Sequence, residues 1–286
     1  MARIAIISTI SIAALTLAGC AATPAVDDGR VHVVASTNVY GSIAEAVGGD
    51  LIDVTSLIAT AAQDPHSFEA SAQDQLAVSK ADLVIENGGG YDPFVYDLYS
   101  AADSDAVLFR VSDRLEFSSG NEHLWYDLLG MEEIATEIAT ELATIDPSNS
   151  AEYEANAEAF GGEIQALVTS VNGIGTGKQA AITEPVPVYL LEAANMTVST
   201  PDEFSEAIEE GTDVPPAVLA ETLELVESAD LLAYNSQTAS PETEQVRQAA
   251  EKAGVPVVEF SETMPDGEDY ISWMTANVSA IAAALQ

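Results

Sequence analysis

The chain passes from a short apolar run into three glycines at Asp82-Leu83-Val84-Ile85-Glu86-Asn87-Gly88-Gly89-Gly90 (residues 82–90). A run of this length, bounded by turn residues, predicts a buried strand. The glycines lack the G-x-G-x-x-G spacing of a dinucleotide site, so we interpret them as a turn at the strand end. Similar runs surround this stretch, with helical patterns between them. The predicted strands are 31–35, 54–58, 82–86 and 106–111, and the predicted helices are 41–47, 71–79 and 93–100.

The same alternation returns in the second half, after two long helical stretches predicted over 123–145 and 151–171. The predicted strands there are 180–183, 197–199, 230–234 and 255–260, and the predicted helices are 185–194, 216–228, 241–253 and 270–285. Strands separated by helices are typical of parallel sheets with right-handed crossovers. The sequence therefore predicts an α/β fold with two lobes, each a mainly parallel sheet flanked by helices, joined by a long helix. We place the N-terminal lobe at 31–145, the linking helix at 146–175 and the C-terminal lobe at 176–286.

The N-terminus has the pattern of a secretory signal. Arg3 precedes an apolar run over 4–17, which is too short to span a bilayer comfortably and ends in Leu17-Ala18-Gly19-Cys20. This end resembles the bacterial lipobox, in which the cysteine is diacylated and becomes the new N-terminus. Two acyl chains make a stable anchor where one does not. We predict a signal peptide over 1–19 and a lipidated tether over 20–30, and an extracytoplasmic protein anchored to the membrane.

The charge is strongly negative. Asp and Glu number 47 against 8 Lys and Arg, which gives a formal net charge of -39. Nucleic acid is excluded as a partner, because phosphate binding needs a basic surface. An acidic surface attracts cations, but it is more often a general adaptation for solubility and salt. Composition therefore does not identify a ligand.

Few residues are candidates for chemistry. His32 lies inside a predicted strand between valines, which favours a structural role. His66 lies in a loop between a strand and a helix, and His123 opens a predicted helix. Glu184 and Glu262 each follow a predicted strand, where ligands bind in open parallel sheets. By position alone, each of the four could equally be an ordinary solvated side chain.

Several motifs, taken in order, resemble the metal-binding substrate-binding lipoproteins of zinc and manganese ABC transporters. The resemblance runs from about Val31 to Leu285. The motifs are Asp64-Pro65-His66-Ser67-Phe68-Glu69, 79–88, His123-Leu124-Trp125-Tyr126-Asp127, Thr183-Glu184-Pro185, Phe260-Ser261-Glu262-Thr263 and 269–274. The resemblance implies two lobes bridged by a rigid helix, with a Zn²⁺ or Mn²⁺ site in the cleft between them. It also implies a monomer that delivers the ion to an ABC transporter permease.

The resemblance further implies the ligands His66, His123, Glu184 and Glu262. Glu122 stands where the family usually has a proline before the second histidine, and Glu262 stands where aspartate is common. The nearby carboxylates of Glu259 and Asp266 could therefore replace Glu262 at the fourth position. Two neutral imidazoles and two carboxylates leave no net charge around a divalent ion, which makes a partly buried site tolerable.

Zinc is slightly favoured over manganese, because four ligands suit tetrahedral Zn²⁺. Carboxylates and the absence of a His-rich loop point the other way. A zinc hydrolase is disfavoured because no His-Glu-x-x-His run occurs and four ligands leave little room for water. Two more functions are compatible with such a fold. One is binding of a metal chelate, for which arginines or an aromatic pocket would be needed, and the second is a purely adhesive lipoprotein.

Overall fold

The computed structural model describes residues 29–63, 65–115 and 120–286. The predicted signal peptide, Cys20 and most of the tether lie outside these ranges. None of the described helices combines the length and the apolar character that crossing a membrane requires.

The first half forms a four-stranded parallel sheet in the order β2-β1-β3-β4. The strands are β1 (Val31–Thr37), β2 (Ile52–Ile58), β3 (Leu83–Glu86) and β4 (Val107–Arg110). The helices between them are α1 (Asn38–Gly48), α2 (Ala72–Val78) and α3 (Pro93–Ala102). Every residue of β3 is buried, as its continuous apolar run predicts for a strand covered on both faces.

Two long antiparallel neighbours follow, α4 (Leu128–Ile145) and α5 (Ser150–Val171). The predicted helix over 123–145 begins later than expected. Asp127 accepts a hydrogen bond from the backbone N–H of Gly130 (3.1 Å) and so caps α4, while 124–126 form a separate 3₁₀ turn. Gly161 lies inside α5 and does not interrupt it. A Cβ on Gly161 would lie 3.3 Å from Glu132, so glycine there permits close packing of α5 on α4.

The second half repeats the first topology, with strand order β6-β5-β7-β8. The strands are β5 (Gln179–Ile182), β6 (Thr197–Val198), β7 (Leu231–Asn235) and β8 (Val257–Phe260). The helices are α6 (Val188–Ala193), α7 (Asp202–Glu209), α8 (Pro216–Val226), α9 (Pro241–Ala253) and α10 (Tyr270–Ala284). Two parallel sheets flanked by helices confirm the predicted α/β fold class.

Helix α7 is absent from the sequence-based prediction, which leaves 200–215 without structure. Its apolar residues Phe204, Ala207 and Ile208 have helical spacing, and acidic residues occupy its first turn, where the helix dipole favours them. Phe204 is fully buried in the core beneath the second sheet. The signal was therefore present in the sequence, but it is short and lies among many charged residues.

Contacts between distant parts of the chain fix the two sheets relative to each other. One continuous cluster of buried side chains includes residues of both sheets and of α4, α5 and α10. Tyr270 donates its backbone N–H to Ser42 (3.0 Å) and its hydroxyl to the carbonyl of Trp125 (2.7 Å). Asn38 and Met264 exchange two hydrogen bonds, of 2.7 and 3.0 Å. The loops at the carboxyl ends of the two sheets are consequently held close together.

Candidate metal centre

The four sequence-predicted ligands lie on segments that follow the carboxyl ends of strands. His66 follows β2, His123 follows β4, Glu184 follows β5 and Glu262 follows β8. In both sheets the first strand is flanked by the second and the third, so a crevice opens where the strand order reverses. The four side chains lie where these two crevices face each other.

His123 is fully buried and has a defined orientation. Its Nδ1 lies 2.7 Å from the side-chain oxygen of Asn121, which also accepts the backbone N–H of His123 (3.1 Å). Because that oxygen can only accept, Nδ1 carries the proton and Nε2 presents its lone pair. Burial lowers the pKa of His123 to about 4, so its imidazole is neutral at neutral pH. Its Nε2 has no hydrogen-bond partner among the described residues.

Glu262 lies beside His66 at the centre of the site. Its Oε2 is 3.1 Å from Nε2 of His66 and accepts a hydrogen bond from the Tyr91 hydroxyl (3.3 Å). Burial by itself favours the protonated form of Glu262. The hydrogen bond with His66 and the proximity of both histidines outweigh it, and they lower the pKa of Glu262. Glu262 is thus a carboxylate that is ready to bind a cation.

Glu184 is held next to Glu262 by a shared neighbour. The amide nitrogen of Asn235, at the end of β7, donates to Oε2 of Glu184 and to Oε1 of Glu262 (2.9 Å). Thr238 also donates to Oε2 of Glu184. Burial raises the pKa of Glu184 to about 7, although these hydrogen bonds oppose the shift. Oε1 of Glu184 has no partner within the described ranges.

Two aromatic rings form one wall of the site. The ring of Tyr91 lies edge-on to both imidazoles, with centroid distances of 6.1 Å to His66 and 6.1 Å to His123. Trp125 packs against Tyr91 (4.8 Å) and His123 (5.2 Å). These rings exclude water from one side of the donors and restrict the movement of His123.

Glu259, Asp266 and His32 lie away from these donors. Glu259 is 60% exposed and lies 4.0 Å from Arg247, and Asp266 is exposed. His32 has a half-exposed side chain near Asp53 (3.6 Å) on the first sheet. Of the three carboxylates that could fill the fourth position, only Glu262 is both fully buried and in contact with a histidine. It is therefore the best candidate for the fourth ligand.

One further carboxylate reaches the histidines and was missed from the sequence. Oε1 of Glu209, the last residue of α7, lies 3.6 Å from Nε2 of His66 and 3.5 Å from Nε2 of His123. Burial, followed by the charges of Glu262 and Glu184, raises the pKa of Glu209 to about 8. Among 47 acidic residues, nothing in the sequence marks Glu209, because its helix was not predicted.

The donors approach one another in pairs. Among the described residues, no group of three or more His, Cys, Asp or Glu side chains already has the arrangement of a metal site. The separations are nevertheless close to those of neighbouring ligands: donors about 2.1 Å from a tetrahedral ion lie about 3.4 Å apart. Imidazole nitrogen and carboxylate oxygen together suit divalent ions such as Zn²⁺ and Mn²⁺.

Known proteins resemble this chain over most of its length. The family model described as zinc-uptake complex component A, periplasmic (ZnuA) matches residues 33–284. The manganese ABC transporter substrate-binding lipoprotein scaA of Streptococcus gordonii is 26% identical, with 94% of each chain covered. The iron ABC transporter substrate-binding lipoprotein MtsA of Streptococcus pyogenes serotype M1 is 24% identical, with 96% of each chain covered.

Solved structures share the fold. A crystal structure of ZnuA aligns with a TM-score of 0.74 at 22% identity, covering 90% of this chain and 100% of the other. The periplasmic zinc-binding protein TroA of Treponema pallidum aligns with a TM-score of 0.74 at 19% identity, covering 90% of this chain and 99% of the other. The chain therefore belongs to the ZnuA family, which confirms the resemblance to substrate-binding lipoproteins of metal ABC transporters that its motifs indicate.

Proposed function

We propose that this protein captures a divalent metal ion outside the cytoplasm and delivers it to the permease of an ABC importer. The observation that carries the proposal is the buried Nε2 of His123. It has no hydrogen-bond partner among the described residues, and it faces a carboxylate 3.5 Å away. A buried lone pair beside carboxylates is costly unless a cation binds there.

The proposed ligands are His66, His123, Glu184 and Glu262. Asn121 orients one histidine and Asn235 positions both carboxylates, as hydrogen-bonded neighbours of metal ligands commonly do. With neutral imidazoles these four ligands balance a charge of +2. We propose that the ion lies between an N-terminal lobe over 31–145 and a C-terminal lobe over 176–286, with the segment 146–175 linking them.

A bare ion fits the site better than a chelate or a reacting substrate. A cavity of about 640 Å³ next to the site is lined by six carboxylates, and no Lys or Arg is among its described lining residues. An anionic chelate would be repelled there, whereas a free cation would be attracted. An enzyme is disfavoured, because four protein ligands leave little room for a metal-bound water.

We infer zinc rather than manganese as the captured ion. The family description names zinc, whereas the relatives above are named for manganese and iron. Two imidazoles in a compact site favour Zn²⁺, which also binds N/O sites more tightly than Mn²⁺. Because Zn²⁺ binds such sites more tightly than Mn²⁺ whichever ion the cell takes up, competition between the two ions in vitro does not identify the physiological ion.

Uptake by cells tests both the function and the metal. Cells with and without the gene are starved of zinc or of manganese and then supplied with the missing ion. We expect deletion to reduce zinc uptake strongly and manganese uptake little. Loss of manganese uptake alone would overturn the preference for zinc, and unchanged uptake of both ions would contradict the proposed function.

We also propose that Cys20 is lipidated and anchors the mature protein. Cys20 is the only cysteine of the chain, and both relatives named above are called lipoproteins. Replacing Cys20 by Ala removes the acylated atom, so we expect the variant to leave the membrane fraction. Cell fractionation followed by immunoblotting measures this. A Cys20→Ala variant that stays in the membrane fraction in wild-type amount would contradict the anchor.

A further inference from the structure

The chain offers the two histidines a third carboxylate in addition to those of Glu184 and Glu262. Oε1 of Glu209 lies at nearly equal distances from both Nε2 atoms, 3.6 Å from His66 and 3.5 Å from His123. Oε2 of Glu262 lies 3.1 Å from the same nitrogen of His66. All three distances are close to the spacing of about 3.4 Å between neighbouring ligands of a tetrahedral ion.

Glu209 is largely buried and accepts no hydrogen bond from the described residues. Its side chain is only 10% exposed, and neither carboxylate oxygen has a hydrogen-bond partner among the described residues. The same holds for Nε2 of His123 and Oε1 of Glu184. Buried polar atoms are almost always paired, so unpaired atoms that converge indicate a ligand that they share.

Glu209 also lies at the edge of the acidic cavity next to the donors. Glu209 lines the acidic cavity described above, together with Glu122 and the exposed Glu206 of the same helix. It thus belongs both to the cavity wall and to the surroundings of His66 and His123.

We propose that Glu209 is a further ligand of the captured ion. This inference rests on the proposed function and extends its ligand set. A third carboxylate adds one or two oxygen donors, and oxygen-rich sets of five or six donors suit Mn²⁺ better than tetrahedral Zn²⁺. Glu209 therefore contributes more to the affinity for manganese than to the affinity for zinc. It reduces the difference in affinity between the two ions.

The test compares Glu209→Gln with Glu206→Gln. Both changes replace a carboxyl group of α7 that lines the same cavity with an amide of the same size, but Glu206 is exposed and Glu209 is not. Chelator-treated full-length protein is titrated with Zn²⁺ and with Mn²⁺ against a chromophoric competitor. We expect Glu209→Gln to weaken Mn²⁺ binding at least about tenfold and Zn²⁺ binding less, with Glu206→Gln within about twofold of wild type.

A second measurement separates a ligand from a structural residue. X-ray absorption at the metal edge reports the total number of nitrogen and oxygen donors around the ion, and we expect that number to fall in Glu209→Gln. The melting temperature of metal-free Glu209→Gln should equal or exceed that of wild type, because the amide has the size of the carboxyl group and can take no charge in this largely buried position. Unchanged affinities and donor counts in Glu209→Gln would overturn the inference. Failure of the wild type itself to bind either ion would instead contradict the proposed function.

Discussion

His123→Ala should lower the affinity for divalent ions by at least about a hundredfold, because changes to the hydrogen-bonded neighbours of metal ligands already cost 10–100-fold. The variant loses a neutral donor while the carboxylates of Glu184 and Glu262 remain. It therefore keeps the negative charge of the site but lacks the nitrogen that Asn121 orients.

His32→Ala is the matched control. It removes the same side chain from β1, where His32 is half-exposed near Asp53 and away from the proposed ligands. Titration calorimetry of chelator-treated protein measures both variants. The melting temperature is an independent readout, since a ligand at a thousandfold excess over Kd adds about 4 kcal/mol of stability. Weak binding by His32→Ala combined with normal binding by His123→Ala would reverse the assignment.

Much of the fold follows from sequence pattern alone. Most strands are short, mainly apolar runs bounded by turn residues, and the eight strands of the described ranges lie within a few residues of the predicted ones. Pattern also places His66, His123, Glu184 and Glu262 after strands, where parallel sheets bind ligands. The ends of helices were harder to predict, because a single cap such as Asp127 decides where α4 begins.

What sequence reasoning missed depends on contacts between distant segments. Asn235 joins Glu184 to Glu262 from a third strand, and Tyr91 contacts Glu262 across 171 positions of the chain. No local pattern distinguishes such an Asn or Tyr from its neighbours. Glu209 was missed for a second reason, because its helix is short and its apolar face has only three residues. Charge alone is uninformative in so acidic a chain.

The repeated topology gives the site its physical basis. Each sheet has its first strand between the second and the third, so each sheet has a crevice at the carboxyl ends of its strands. The two crevices lie where the two sheets contact each other. One sheet contributes the histidines and the other contributes the carboxylates Glu184 and Glu262. An ion held by the four proposed ligands would therefore add interactions between the sheets to the direct hydrogen bonds, such as the one from Tyr126 to the carbonyl of Ser261 (2.8 Å).

Trp125 supports both the contact between the two sheets and the aromatic wall of the site. Its side chain is fully buried, 4.8 Å from the ring of Tyr91 and 5.2 Å from that of His123. Its carbonyl accepts the hydroxyl of Tyr270 in α10 (2.7 Å). Trp125→Ala leaves a large cavity among these groups, and such truncations cost about 3–5 kcal/mol.

We therefore expect metal-free Trp125→Ala to melt about 10 °C below wild type, since 1 kcal/mol corresponds to about 2–4 °C in proteins approaching this size. Leu129→Ala is the control. It truncates a large apolar side chain four residues further on, but Leu129 is 54% exposed and its loss should cost less than about 0.5 kcal/mol. Thermal unfolding followed by circular dichroism in the presence of chelator measures both. If Trp125→Ala melts within about 2 °C of Leu129→Ala, Trp125 does not support the core in the way its burial implies.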